Sequence, residues 1–105
     1  MEAILVITHL PDRDSALALA RQLVEARLAA CVNVGAECVS VYRWQGKIDT
    51  ANEVPLFIKT QASLYLPVEA AIKAAHPYEL PEIVAVSIGN GLPAYLQWLA
   101  DETGG

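Results

Sequence analysis

CVNVGAECVSVYRWQGKIDTANEVPLFIKT, residues 31–60, is the stretch that decides how the chain folds. From Cys31 to Trp44 it reads as one long strand, with Val39 and Val41 on one side and Cys38, Ser40, Tyr42 and Trp44 on the other. Gln45-Gly46 supplies a turn, and Lys47 to Thr60 return as a second long strand in which Val54, Leu56, Ile58 and Thr60 share a face. The two strands make a β-hairpin. Gln is a poor first residue for the tightest hairpin turn, which wants positive φ at both central positions, so a bulge is expected at the turn and the register is open by one residue. Pro55 cannot donate a ladder hydrogen bond, which puts its part of the strand at an edge or a bulge. Each strand runs to about thirteen residues against the usual five or six, so part of the hairpin extends past whatever covers the core. An uncovered, partly apolar strand pair wants a partner.

Upstream of the hairpin, Ala3 to Thr8 is a continuous apolar, β-branched run, the pattern of a strand covered on both faces. After a Leu10-Pro11-Asp12 turn, Ala16, Leu17, Ala20, Leu23, Val24 and Leu28 recur at three- and four-residue steps, predicting an amphipathic helix capped by Asp12. Downstream, Leu64, Val68, Ile72 and Ala75 predict a second helix that tolerates Pro67 only in its first turn and halts at His76-Pro77. Glu82 to Ile88 predicts another strand, Gly89-Asn90-Gly91 a break, and Pro93 to Ala100 a short last helix. Thr103 to Gly105 are expected to fray. The order is β-α-β-β-α-β with an additional C-terminal helix, which is an α+β ferredoxin-like sandwich in a single domain, 1–105. Right-handed crossovers then place both long helices on one sheet face.

The hydrophobic fraction is 54% and the charged fraction 18%, which suits either a buried subunit interface or an Ala- and Val-rich core. Twelve acids against seven bases give a net charge of −5 and repel phosphate backbones, so nucleic acid is not expected as a partner. No apolar run approaches the ~20 residues that span a bilayer, and Met1 leads straight into a strand, so no membrane partner and a cytoplasmic location are expected. Cys31 and Cys38 would stand about 23 Å apart on an extended segment, too far to bridge unless the chain folds back near Gly35. Two free thiols suit a reducing compartment.

The densest concentration of chemistry is HPYELPEI, residues 76–83, which sets one imidazole, one phenol and two carboxylates between and around two prolines. The prolines make a rigid connection, and His76 with Glu79 and Glu82 offers nitrogen and oxygen donors suited to a divalent metal or a polar ligand. Glu53 and Lys59 face the same side of the second hairpin strand, and a lysine among Leu56, Phe57 and Ile58 suits a small anionic ligand or a carboxylate. Tyr42 and Trp44, and Tyr95 and Trp98 on the last helix, read as core or interface aromatics. Cys31 and Cys38 are soft-metal donors without the spacing of a zinc motif, and His9 reads as a surface residue in a turn. No nucleophile elbow, phosphate loop or paired-histidine zinc motif occurs, so no enzymatic activity is expected.

LAACVN (28–33), SVYRWQGK (40–47), IKT (58–60), HPYELPEI (76–83) and YLQW (95–98), in this order and spacing, resemble the CutA divalent-cation tolerance family along essentially the whole chain. The resemblance implies a homotrimer of ferredoxin-like, PII-like subunits whose long hairpins run between subunits. It also implies a link to copper and other divalent cations, with His76 matching the histidine of the HPY motif and Cys31 the cysteine of the AAC string as metal-ligand candidates. No cofactor is required on this reading, a divalent metal such as copper being the one candidate. Two departures bear on metal: Ala75-His76 stands where some relatives have two histidines, and Thr8 where some have a cysteine. Tyr42, Glu53, Lys59, His76 and Tyr78 are expected to meet in a ligand pocket near a subunit boundary of a regulatory trimer. An enzyme using the same cleft, with His76 as acid or base, and a purely structural trimer are the alternatives.

Overall fold

In the computed structural model, residues 1–104 are described. The chain runs β1 (Ala3–Leu10), α1 (Arg13–Glu25), β2 (Cys31–Val34), β3 (Cys38–Trp44), β4 (Lys47–Gln61), a 3₁₀ turn (Ala62–Leu64), α2 (Tyr65–Ala75), β5 (Ile83–Ser87) and α3 (Pro93–Asp101). The sheet is antiparallel throughout in the order β2-β4-β1-β5, with β3 pairing β4 beyond the end of β2. β1 sits between two neighbours, as its unbroken apolar run requires. The result is an α+β fold with an open antiparallel sheet.

Register decides which side chains the hairpin presents. Cys31 pairs with Lys59 and Val34 with Leu56, but Cys38 pairs with Glu53, so three residues of one strand (Gly35, Ala36, Glu37) oppose two of the other (Val54, Pro55). The extra residue is a β-bulge. Its cause is Pro55: in an antiparallel ladder a residue's N–H and C=O point to the same neighbour, and the Pro55 carbonyl accepts from Gly35 N–H at 2.9 Å. The missing amide hydrogen therefore faces the bulge, where the ladder no longer needs it. At the turn, by contrast, no bulge forms. Gln45 (φ 50°) and Gly46 (φ 81°) both adopt positive φ, and Trp44 pairs directly with Lys47. The bulge expected at the turn is thus absent, the one that forms lies opposite Pro55, one of the two outcomes its missing donor allowed, and the single strand expected over 31–44 is divided there.

Even-numbered residues of β1 and β4 (Ile4, Val6, Leu10, Val54, Leu56, Ile58) meet Leu19 and Leu23 of α1 and Val68 and Ile72 of α2 in one buried core. Both long helices therefore lie on one face of the sheet. Burying such side chains stabilises by about 1.5–3 kcal/mol each. The predicted cap is present, Asp12 Oδ1 accepting from Ser15 N–H at 2.8 Å. α3 covers one end of the opposite face, where Leu99 packs on Ala3 and Ala30. The predicted fraying at the C-terminus is corrected for 103 and 104. Thr103 is buried, its hydroxyl donating to Leu99 O and accepting from Gln61 Nε2, and the Arg27 Nε donates to Gly104 O at 2.7 Å. Gly105 lies outside the described residues.

A Cβ at Gly35 would stand 2.8 Å from Pro55 Cγ, inside van der Waals contact with a ring that cannot move aside. Gly35→Ala is expected to lower stability by about 1–3 kcal/mol. Gly89→Ala, where an added Cβ meets nothing within 4 Å, is the control and should stay within about 0.5 kcal/mol. Urea unfolding of the two variants checks this, and equal midpoints would remove the close approach at the bulge.

Candidate functional site

Because the bulge shifts the register by one, Ser40, Tyr42 and Trp44 share the sheet face of Ala51 and Glu53, turned away from α1 and α2. Facing them is the connection from α2 to β5. α2 stops at His76, whose N–H closes the last helical bond to Ile72 O at 2.9 Å and whose extended backbone (φ −83°, ψ 132°) is what the following proline demands. Residues 78–82 then turn back along the end of β1 before β5 begins. Between this segment and the hairpin lies an open cleft of about 1030 Å³ walled by Tyr42, Trp44, Glu53, Tyr78, Glu82 and His9, among others.

The His76 ring is buried beneath the cleft. Its Nε2 contacts the His9 carbonyl oxygen, its Nδ1 accepts from Tyr78 N–H at 3.2 Å, and the Tyr78 ring lies against it with centroids 4.6 Å apart. The Tyr78 phenol is pushed up to about 12, first by burial, then by the Glu53 carboxylate beside it, with smaller additions from Tyr42 and Asp12. At the far end of the segment, Glu82 Oε1 stands 3.5 Å from His9 Nδ1. Glu53, Glu79 and Glu82 line the cleft against a single cationic residue among those described, Arg43, so its field favours cations.

Of the five predicted pocket residues, Tyr42, Glu53 and Tyr78 come together on this cleft; His76 lies behind the wall and Lys59 is elsewhere. Lys59 shares the face of Glu53, yet six strand residues carry it roughly 20 Å away, to where its Nζ sits 5.8 Å from the Tyr95 ring centroid under α3. An anionic ligand expected from Lys59 therefore has no lysine to meet in the cleft. Within one chain the two metal-ligand candidates are not brought together. Cys31 pairs opposite Lys59, away from His76, and both His76 nitrogens already have partners. Among the described residues, no group of three or more His, Cys, Asp or Glu side chains is placed to hold a metal ion, so these residues do not fit a copper centre. His9 is the residue the sequence reading missed. β1 continues past Thr8 to Leu10, which puts His9 on the cleft side of the sheet, and the signal was the buried alternation of Ile4, Val6, Thr8 and Leu10.

A family model described as "CutA1 divalent ion tolerance protein" matches residues 4–102. The chain is 43% identical to the divalent-cation tolerance protein CutA of Thermus thermophilus over 99% of this chain and 100% of that one. It is 40% identical to the chloroplastic protein CutA of Arabidopsis thaliana, covering 96% of this chain and 56% of the relative. The fold superposes on the crystal structure of CutA from Xylella fastidiosa with a TM-score of 0.95 at 44% identity, over 99% of this chain and 100% of that one.

A tyrosine raised above its unfolded value of 10.0 binds its proton longer in the folded state, so its contribution to stability is intact below about pH 10 and is lost as pH rises toward 12. Difference absorbance between wild type and Tyr78→Phe should show Tyr78 ionising near the top of that window. Glu53→Gln should move it part of the way back toward 10, because the burial contribution remains. Ordinary tyrosine titration at position 78 in the wild type would detach the phenol from Glu53.

Proposed function

The chain belongs to the CutA1 divalent ion tolerance protein family, and we propose that it acts as a homotrimeric binding protein, PII-like and ferredoxin-like in build, and not as an enzyme. The observation that carries the trimer is the hairpin arm: Val39, Val41 and Ile48, whose side chains lie on the other face of the strand pair from Tyr42 and Trp44, are 66%, 67% and 64% exposed. On the sheet face left open beside α3, Val84 and Val86 are also about half exposed. An apolar strand pair bare on both sides is paired or covered in a stable protein. The strand order β2-β4-β1-β5, with α1 and α2 on one face, supports the ferredoxin-like reading.

The cleft at the base of this arm is the ligand site of the proposal. Its three carboxylates do not converge on a metal site within one chain, but their field favours a small cation, so copper or another divalent ion would bind weakly and only where a neighbouring subunit completes the site, with a regulatory role following from occupancy at that boundary. Against the enzyme alternative, His76, its acid or base, has both ring nitrogens in contacts with backbone. Two free thiols support a cytoplasmic location.

Sedimentation velocity at micromolar concentration should give a species three times the 11.3 kDa chain mass. Val41→Asp, harmless to a monomer at this exposure, should release single chains by burying charge at the contact. A wild-type protein sedimenting at the mass of one chain ends the trimer reading. For the ligand, calorimetric titration with copper(II) is expected to give a Kd weaker than about 1 μM, and roughly tenfold weaker still in Glu53→Gln. Submicromolar binding indifferent to Glu53→Gln would place the metal elsewhere.

A further inference from the structure

We infer that His76 is a positioning residue of the cleft, locked as the neutral Nε2–H tautomer, and not a metal ligand. The sequence itself creates the need. Pro77 has no amide hydrogen, so Tyr78 carries the first N–H after α2 that must find an acceptor, and the His76 ring two residues back supplies it through Nδ1 at 3.2 Å. An accepting Nδ1 has an unprotonated lone pair. The ring's proton is therefore on Nε2, which faces the His9 carbonyl, a group that can only accept. The two backbone partners together select one tautomer and leave neither nitrogen with a lone pair to offer a cation. With the ring buried, nothing else competes for those positions.

The consequence lies in the cleft wall. His76 ties the start of the 77–82 segment to the backbone of His9, and Glu82 brings its end to the His9 side chain at 3.5 Å. One residue at the end of β1 thus receives both ends of the segment. Tyr78, held by its amide on Nδ1 and by its ring against the imidazole, is carried to Glu53 across the cleft. The inference holds whichever cation occupies the cleft and whether or not three chains assemble.

Long-range proton–nitrogen correlation on the histidine-labelled full-length protein reads the tautomer directly. An unprotonated Nδ1 and a protonated Nε2 are expected at His76, unchanged when zinc(II) is added; the reverse tautomer, or displacement of either nitrogen signal by zinc(II), overturns the inference. His76→Phe keeps the ring and removes both polar contacts. Tyr78 amide hydrogen exchange should then rise at least tenfold while the β1 and β4 amides stay protected. His76→Gln, whose amide can both donate to His9 O and accept from Tyr78 N–H, should return exchange to within about threefold of wild type. Tyr78 exchange unmoved by His76→Phe, or no recovery in a folded His76→Gln, also overturns it. Absence of copper binding to the whole protein would refute the ligand reading above and leave these results standing.

Discussion

The hydrogen bond from Gly35 N–H to the Pro55 carbonyl is the contact on which the rest of the molecule depends. A proline in the interior of β4 leaves one missing donor, and the opposing chain answers it with an extra residue. That residue changes parity. Before the bulge, Val32 and Val34 point into the core against Ile58 and Leu56; after it, Val39 and Val41 point away from the cleft, and Cys38, Ser40, Tyr42 and Trp44 point toward it. Without the extra residue the arm would present valines to Glu53 and Tyr78. A hydrogen-bonding deficit of one proline thereby sets the chemistry of a surface some 10 Å or more along the strand.

The other wall depends on a second proline effect. Pro77 ends α2 and strands the Tyr78 amide, and the His76 imidazole resolves this locally while binding the segment to β1. The cleft is thus built between two segments whose geometry prolines dictate, a hairpin arm with shifted register and a strapped loop. These walls bring three carboxylates and several aromatic rings to one cleft, and it is on that arrangement that we propose a small cation binds.

Much of this was legible in the residues because it is written in periodicity. The alternation of Val54, Leu56, Ile58 and Thr60, the helical spacing of Leu64, Val68 and Ile72, and Asp12 as cap all translate directly into structure. Pro55 left an edge or a bulge open for its part of the strand, and the ladder shows the bulge. Gln45 was misjudged because a polar residue of ordinary helix and strand preference can be driven to φ 50° when the flanking strands hold the turn, so the bulge had no reason to form there. Lys59 shows the limit of face arguments: parity says which side a residue is on, not how far along. The contact between His76 and His9 was illegible for a deeper reason: the His76 ring meets the His9 carbonyl across 67 residues of sequence, and no local pattern reports a contact of that range, although alternation along β1 does place the His9 side chain.

The parity change is directly measurable. Cross-strand nuclear Overhauser effects between α-protons of facing, non-hydrogen-bonded residues should place Val32 opposite Ile58 and Val41 opposite Thr50 in the same molecule, which is possible only with one extra residue between them. One uninterrupted register through both segments, with Val41 opposite Asp49 or Val32 opposite Lys59, would contradict the account.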